Sequence, residues 1–359
     1  MKKILVTVVC SLLALSLTGC GKKTSDVDPV AQYGCDVLNV YNWGEYVGEN
    51  VISDFENAYN VKVNYSLFDS NEVMYTKLLG GSQYDILVPS DYMIERLIDE
   101  ELLQPIDWGK ITNKDNLYEN IMGASFDPEN TYSVPYFWGS VGIVYNKNNV
   151  DPADIEKEGF NILKDSKYAN QVYMYDSERD SFMIALKALG YSMNTENMDE
   201  INEAYNWLLE LDKNVNPAYV TDEVIDSMVN GEKDLAVVYS GDAAYILSEN
   251  EDMSYYLPES GTNLWVDAMV IPANAKCPTL AHEFINFVLT DDASYDNSST
   301  VGYASSNKNV LDEMILEGGE FDGNVAYLPR TDNPNDEFFR HNEAMKKVLA
   351  DLWIKVKNQ

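Results

Sequence analysis

The chain has little of the material from which most catalytic and metal sites are built. Its 359 residues include two histidines and four cysteines. His282 and His341 lie far apart in segments with helical periodicity, so neither a histidine-based triad nor a zinc site is indicated. Cys35 and Cys277 could pair in an oxidising compartment, but the sequence leaves this open. We therefore expect no catalytic residue, no metal and no cofactor.

Basic residues are also scarce. Lys and Arg number 25 against 59 Asp and Glu, and the net charge at pH 7 is −34. Proteins that bind nucleic acids neutralise phosphates with basic side chains, so this balance argues against a nucleic-acid partner. An acidic protein draws cations towards it, although solvation of an ordinary surface would also account for most of the carboxylates. The charge permits a cationic ligand without requiring one.

Long apolar runs are confined to the N-terminus. After two lysines, Ile4 to Leu17 form a mostly apolar stretch of 14 residues. A membrane-spanning helix takes about 20 residues, so this stretch is typical of a secretory signal peptide. Because no later stretch reaches about 18 consecutive apolar residues, we expect the mature chain not to cross the membrane.

The apolar stretch ends in Leu17-Thr18-Gly19-Cys20, which resembles the lipobox of bacterial lipoproteins. The resemblance implies that residues 1–19 are removed and that the Cys20 thiol is lipidated. Residues 20–35 would then form a polar tether. We expect the protein at the outer face of the cell membrane, or in the periplasm, with the lipid as its only membrane contact. An ordinary signal peptide that contains a cysteine is the alternative.

Strand and helix patterns alternate from Asp36 onwards, which predicts an α/β fold with parallel strands and helices on the sheet faces. The predicted strands are 37–43, 61–67, 84–90, 133–146, 171–175, 235–239 and 264–271, and the predicted helices are 49–58, 71–79, 92–102, 181–189, 199–211, 222–229, 242–247, 279–289 and 336–356. Val61, Val63, Tyr65 and Leu67 alternate as in a half-buried strand. In the last helix, the residues expected to face a core are Phe338, Ala344, Val348 and Leu352.

Two long extended stretches, near residues 140 and 267, are natural crossovers between two lobes. The predicted first lobe comprises residues 36–140 and 268–305, and the second comprises residues 141–267 and 306–359. Such an arrangement closes a cleft between the lobes by hinge motion.

Open α/β sheets bind ligands at the carboxyl ends of their strands, and here these ends carry rings, hydroxyls and carboxylates. Trp265 and Asp267 stand two residues apart in an extended stretch, so both side chains face the same way. A carboxylate offsets the lost hydration of a buried ammonium, and a ring face adds about 0.5–2 kcal/mol by cation–π attraction. This chemistry suits a polyamine, but sugars also stack on rings.

Six ordered motifs resemble the spermidine/putrescine-binding proteins of polyamine ABC transporters. They are YNWGEY at 41–46, SNEVMY at 70–75, YDILVPS at 84–90, VPYFWG at 134–139, ALGYS at 188–192 and IPANA at 271–275. The resemblance covers nearly the whole mature chain. It implies a two-lobed periplasmic-binding-protein fold, type II-like, that binds a polyamine in the interlobe cleft and delivers it to an ABC permease with a separate ATPase. We expect a monomer.

The resemblance also implies a set of ligand contacts. The family's ring contacts fall on Trp43, Tyr46, Tyr92, Tyr239, Trp265 and Tyr303, its hydroxyl contact on Ser90, and its inner-amine carboxylate on Asp267. Where the family holds a terminal amine, Asp180 replaces a Glu and Ser177 replaces an Asp, with Asp176 one residue earlier. Tyr239 replaces a Trp, so the preference between spermidine and putrescine stays open. Glu337 is a weaker candidate for the polar contact from the last segment.

Each candidate also has an ordinary structural interpretation. The rings could belong to the core or its rim, Asp176 and Asp180 could cap the helix predicted from Ser181, and Ser90 could be an N-cap. Two other functions remain alternatives to polyamine capture. One is a binding lipoprotein for a sugar or another small cation. The other is a glycosidase-type enzyme, because pairs of carboxylates are plentiful.

Overall fold

The computed structural model describes residues 28–358, so the predicted signal peptide and Cys20 lie outside the described residues. Its strands are β1 (Val37–Trp43), β2 (Lys62–Phe68), β3 (Ile86–Leu87), β4 (Ser133–Asn146), β5 (Val172–Tyr175), β6 (Ala218–Val220), β7 (Leu235–Tyr239), β8 (Met253–Tyr256), β9 (Leu264–Val270) and β10 (Ala304–Ser305). Its α-helices are α1 (Pro29–Tyr33), α2 (Val51–Tyr59), α3 (Asn71–Leu79), α4 (Asp91–Asp99), α5 (Pro152–Glu158), α6 (Glu178–Leu189), α7 (Met198–Val215), α8 (Glu223–Val229), α9 (Ser240–Glu249), α10 (Pro278–Val288), α11 (Asp291–Val301), α12 (Lys308–Ile315) and α13 (Glu343–Val356). Within residues 28–358, no helix is both long enough and apolar enough to cross a bilayer.

Strand β4 belongs to two sheets. Its first part, residues 133–140, pairs with β9, while residues 141–146 pair with β7 and β8. The first sheet continues from β9 through β3 and β1 to β2, and the second continues from β7 through β5 to β6. Because β4 is buried along almost its whole length, it is a continuous connection through the middle of the molecule. This continuity supports the predicted division into two lobes, whose boundaries stay a prediction.

The sheets are mixed, not purely parallel. Strand β1 runs parallel to β2 and β3, and β5 runs parallel to β6 and β7, as the alternation of strands and helices predicts. Strands β4 and β9, which contain the two predicted crossovers, are antiparallel to each other. The α/β fold class is confirmed.

Helix α7 shows how the sequence forms the outer helical layer of the second sheet. Asn197 caps its start by accepting a hydrogen bond from the Asp199 amide at 3.0 Å, and Asn216 ends it in the left-handed conformation. Its apolar residues recur three and four positions apart and are buried, at 201, 204, 208 and 211. This stripe packs against α6, and each buried leucine contributes about 1.5–3 kcal/mol.

Two element boundaries differ from prediction for local reasons. Helix α6 begins at Glu178, three residues before the predicted start, because the Ser177 hydroxyl accepts a hydrogen bond from the Asp180 amide at 3.3 Å. Helix α13 begins at Glu343, seven residues after the predicted start, because Asn342 caps it.

The expected burial was wrong at one residue in each of two segments. In the last predicted helix, Phe338, Val348 and Leu352 are half-buried and pack against the core as expected, but Ala344 is exposed, and Trp353 and Val356 are the fully buried side chains. In β2, Leu67 is 54% exposed and Phe68 is buried instead. Phe68 turns inwards because its ring packs against Tyr41, with centroids 4.9 Å apart.

Cys35 and Cys277 form a disulfide, with their Cα atoms 6.1 Å apart. The bond joins the segment between α1 and β1 to the residue before α10, which lies 242 positions further along the chain. A cross-link that closes a long loop stabilises a fold chiefly by restricting the unfolded chain. It therefore fastens the start of the described chain to the first sheet and its helices.

Candidate ligand-binding site

A cavity of 940 Å³ lies between the two sheets and their helices. It is lined by residues of both sheets, among them nine of the residues that sequence analysis singles out: Trp43, Tyr46, Ser90, Tyr92, Asp180, Tyr239, Trp265, Asp267 and Tyr303. The structure thus brings together residues that are up to 260 positions apart in the chain. Their role as ligand contacts stays a prediction.

Local backbone structure explains how several of these residues reach the cavity. Trp43 is the last residue of β1, and its indole N–H donates to the Val88 carbonyl at 2.9 Å. Ser90 is the N-cap of α4, and Tyr239 ends β7 and is the N-cap of α9. These positions are the carboxyl ends of strands, where open α/β sheets present side chains to ligands.

Two glycines leave room for the rings of the cavity wall. A Cβ atom at Gly139 of β4 would overlap the indole of Trp265, which lies on the paired strand β9. A Cβ atom at Gly241 would likewise overlap the ring of Tyr303. Any larger residue at either position would displace a ring, so these glycines shape the cavity.

Four rings follow one another along the wall, each edge to face with the next. The ring centroids lie 5.8 Å apart for Tyr46 and Tyr303, 5.1 Å for Tyr303 and Trp265, and 6.3 Å for Trp265 and Tyr239, with interplanar angles of 70°, 78° and 90°. Edge-to-face pairs contribute about 0.5–1.5 kcal/mol each beyond their buried area. The wall is therefore stiffened by its own packing.

Asp267 is buried beside this wall. The Tyr46 hydroxyl donates to its Oδ2 at 2.7 Å, and Ser90 also hydrogen-bonds to it. Burial raises the pKa of Asp267 to about 6, while these two hydrogen bonds oppose the rise. The carboxyl group therefore accepts hydrogen bonds from neutral donors, and no basic side chain lowers its pKa.

Asp242 is a second buried carboxyl group in the cavity, and sequence analysis missed it. It receives hydrogen bonds from the Tyr303 hydroxyl at 3.0 Å and the Tyr175 hydroxyl at 3.4 Å. Burial raises its pKa to about 6. Its position three residues after the end of β7, in the first turn of α9, was a signal that could have found it.

Two further carboxyl groups line the cavity. Asp180 accepts a hydrogen bond from the Tyr239 hydroxyl at 3.1 Å, and burial raises its pKa, opposed by Ser177 and by the charge of Arg179. Burial also raises the pKa of Asp91 well above its usual range. Sequence analysis missed Asp91, which is the first residue of α4.

The structure does not place the three weaker candidates at the cavity. Ser177 caps α6, as described above. Asp176 forms an ion pair with Lys357 and accepts a hydrogen bond from the Trp353 indole. Glu337 pairs with Lys187 and accepts hydrogen bonds from residues 192 and 193, so it fastens the last segment to the second sheet's helices.

The lining as a whole is acidic and aromatic. Its acidic residues are Glu45, Asp91, Asp180, Asp222, Asp242, Glu249, Asp267 and Glu320, whereas Arg179 is the one Lys or Arg among the described lining residues. In the described part of the chain, no group of three His, Cys, Asp or Glu side chains is arranged to hold a metal ion. Such a lining favours an organic cation with apolar segments.

The profile of the bacterial extracellular solute-binding protein family matches residues 50–322. The chain belongs to this family. It is 37% identical to the spermidine/putrescine-binding periplasmic protein of Salmonella typhimurium over 274 residues, which cover 76% of this chain and 78% of that protein. It is 36% identical to the protein of the same name from Escherichia coli over 324 residues, which cover 90% of this chain and 92% of that protein.

The fold of this solute-binding protein matches solved structures. The spermidine/putrescine ABC transporter substrate-binding protein PotD of Streptococcus pneumoniae superposes with a TM-score of 0.79 at 34% identity, over 90% of this chain and 99% of that chain. A putative spermidine/putrescine ABC transporter protein of Listeria monocytogenes gives a TM-score of 0.78 at 37% identity. The resemblance and the two-lobed solute-binding fold predicted from the sequence are confirmed.

The raised pKa values of Asp267 and Asp242 predict the pH dependence of stability in the ligand-free protein. A carboxyl group with a folded pKa of about 6 and an ordinary unfolded pKa binds more protons when folded, so the free energy of unfolding falls as pH rises from about 4 to about 6. Asp267→Asn keeps the shape and removes the charge. We expect it to raise the free energy of unfolding at pH 7.5 by about 1–3 kcal/mol and to have little effect below pH 4.

Urea denaturation at several pH values measures this effect. Asp252→Asn is the matched control, because Asp252 is exposed in the turn before β8 and does not line the cavity. If Asp267→Asn were no more stable than the parent at pH 7.5, the carboxyl group would not be destabilised by burial.

Proposed function

We propose that this chain captures a polyamine, spermidine or putrescine, in the cavity and delivers it to an ABC importer. The named relatives bind spermidine and putrescine, and they match this chain over most of its length. The observation that carries the proposal is the wall of four rings that includes Trp265, with the buried carboxyl groups of Asp267 and Asp242 beside it, in a cavity whose lining is acidic and aromatic.

The charges of the cavity suit the nitrogen atoms of a polyamine. A buried ammonium loses several kcal/mol of hydration unless a counter-charge and hydrogen-bond acceptors replace the water. Asp267 on the first sheet and Asp180 and Asp242 on helices of the second sheet each supply both. Ammonium groups along one chain would therefore contact both lobes.

The rings suit the methylene chain between those nitrogen atoms. Apolar surface that leaves water contributes roughly 25 cal/mol per Å². The wall of Tyr46, Tyr303, Trp265 and Tyr239 offers such surface, and a ring face within about 6 Å of an ammonium adds cation–π attraction. A sugar would use the rings and could donate hydroxyl hydrogen bonds to the carboxylates, but it would leave several buried carboxylates without a counter-charge.

Binding of one ligand by both lobes would favour the closed arrangement. A ligand shifts the balance between open and closed forms only by its difference in affinity for the two. We propose that the lobes comprise residues 36–140 with 268–305 and residues 141–267 with 306–359, and that the closed monomer docks on a permease energised by a separate ATPase. We propose no catalytic role, because the cavity presents binding groups and the family is one of solute-binding proteins.

The change Asp267→Ala tests the proposal most simply. It leaves a buried ammonium without its partner, so we expect spermidine affinity to fall by about 3–5 kcal/mol, which is more than 100-fold. Isothermal titration calorimetry with spermidine, putrescine, amino acids and oligosaccharides measures this and separates the alternative ligands. Asp252→Ala, at an exposed acid outside the cavity, should leave the affinity unchanged. A loss of less than threefold in Asp267→Ala would contradict the proposal.

We also propose that Cys20 carries a lipid that anchors the protein at the outer face of the cell membrane. The support is the basic start, the apolar stretch and the lipobox-like Leu17-Thr18-Gly19-Cys20 in sequence. Stable anchoring takes about two acyl chains, which the resemblance to bacterial lipoproteins supplies.

The change Cys20→Ala in the full-length chain tests the anchor. We expect the variant to leave the membrane fraction or to stay unprocessed, whereas Cys10→Ala, within the predicted signal peptide, should fractionate as the parent does. Metabolic labelling with a fatty acid provides the second readout. Label on the Cys20→Ala variant, or a parent chain that is entirely soluble, would contradict the proposal.

A further inference from the structure

A second cavity of 390 Å³ lies next to the ligand cavity. Three residues line both cavities and form the partition between them: Tyr92, Arg179 and Phe339. Arg179 occupies the centre of this partition, with its guanidinium carbon 3.6 Å from the centroid of the Tyr92 ring and 5.5 Å from that of the Phe339 ring. A cation thus separates an acidic cavity from its neighbour.

Arg179 is fixed in this position by contacts with both lobes. Its guanidinium lies 3.8 Å from Glu72 of α3, which also binds Lys346 of α13 at 2.6 Å. The Tyr92 ring beneath it is held by Asn71, whose amide donates to the Tyr92 hydroxyl at 2.9 Å. Cation–π contacts and an ion pair together hold the side chain in place.

The two cavities differ in what they offer to a cation. The ligand cavity has several buried carboxyl groups that no basic side chain pairs directly. In the second cavity, by contrast, three of the five acids in the lining are paired with bases: Glu95 with Arg340, Glu343 with Arg96, and Glu72 with Lys346. Glu196 accepts a hydrogen bond from Asn342, and Glu178 lies next to Arg179 in the chain. An ammonium beyond the partition would therefore meet the positive charges of these bases as well as the acids, and would regain less of its lost hydration than in the ligand cavity.

We infer that Arg179 is a specificity-determining residue that ends the cation-accepting part of the ligand cavity and thereby limits the length of the amine. Its positive charge repels an ammonium that would extend past Asp180, which is the next residue in the chain and a predicted ligand contact. A diamine or triamine held between Asp267 and Asp180 stays on the acidic side, and a tetraamine held by the same two acids would have to push one end through the partition. This inference rests on the proposed polyamine binding.

Calorimetry with putrescine, spermidine and the tetraamine spermine tests it. The parent should bind spermine at least tenfold more weakly than spermidine. Arg179→Ala opens the partition and joins the two cavities, so the ratio of spermine to spermidine affinity should rise at least fivefold. Arg179→Met keeps the length of the side chain without its charge, and it should shift the ratio in the same direction.

Arg96→Ala is the matched control. Arg96 also lies over a ring, 3.9 Å from the centroid of Tyr75, and also pairs with acids, but it lines the second cavity alone. The control should leave the ratio unchanged.

Four results would overturn the inference. The first is a parent whose affinities for spermine and spermidine differ by less than threefold, and the second is an Arg179→Ala variant whose ratio of spermine to spermidine affinity is within twofold of the parent's. The third is an Arg179→Met variant in which this ratio falls, and the fourth is an Arg96→Ala variant in which it rises as much as in Arg179→Ala. If Arg179→Ala does not fold, the inference is tested by the ratio of spermine to spermidine affinity in the parent and in Arg179→Met. A parent that binds spermidine without this selectivity refutes the length limit alone, whereas a parent that binds no amine refutes the proposed function as well.

Discussion

Burial of carboxyl groups without a basic partner is the constraint on which the rest of the structure depends. Asp267 and Asp242 are supported by phenol hydroxyls of Tyr46, Tyr303 and Tyr175, which donate hydrogen bonds but bring no charge. Burial of an unpaired carboxylate costs several kcal/mol, and hydrogen bonds offset only part of this cost. This cost raises the pKa values of both carboxyl groups. The same unpaired charge attracts a cation to the cavity, so the groups that lower the stability of the ligand-free protein also increase its affinity for the ligand.

The framework keeps these groups in place while it allows the two sheets to share one ligand. Strand β4 runs through both sheets, and its Gly139 provides the space that Trp265 occupies on β9. Asp267 belongs to the first sheet, whereas Asp180 and Asp242 lie in the first turns of helices that pack on the second. A ligand that contacts all three carboxyl groups therefore joins the two halves of the molecule. Closure in such a protein follows from the ligand's preference for the closed form.

Much of the fold and of the site could be predicted from the sequence, because both depend on local patterns. Strand β4, strand β7 and helix α3 match their predicted bounds, and nine predicted residues line one cavity. The failures arose where tertiary contacts decide. Phe68 is buried in place of Leu67 because its ring packs against the ring of Tyr41. Glu337 forms an ion pair with Lys187, and the spacing of residues in the sequence does not predict that pair. Asp242 was missed because an acid in the first turn of a helix usually interacts with the helix N-terminus, and Arg179 was missed because a base at that position is usually solvated. Only the packing of several elements shows that both face the cavity.

The most direct test of the central claim is the number of protons released when spermidine binds. Calorimetry at pH 6 and pH 8, each in two buffers with different ionisation enthalpies, gives this number. Asp267 and Asp242, with pKa values of about 6, are each about half protonated at pH 6 in the free protein and ionised next to bound ammonium groups. We expect about one proton to be released per spermidine at pH 6 and none from these groups at pH 8. Tight binding at pH 6 without proton release would contradict the claim that buried carboxyl groups neutralise the ligand.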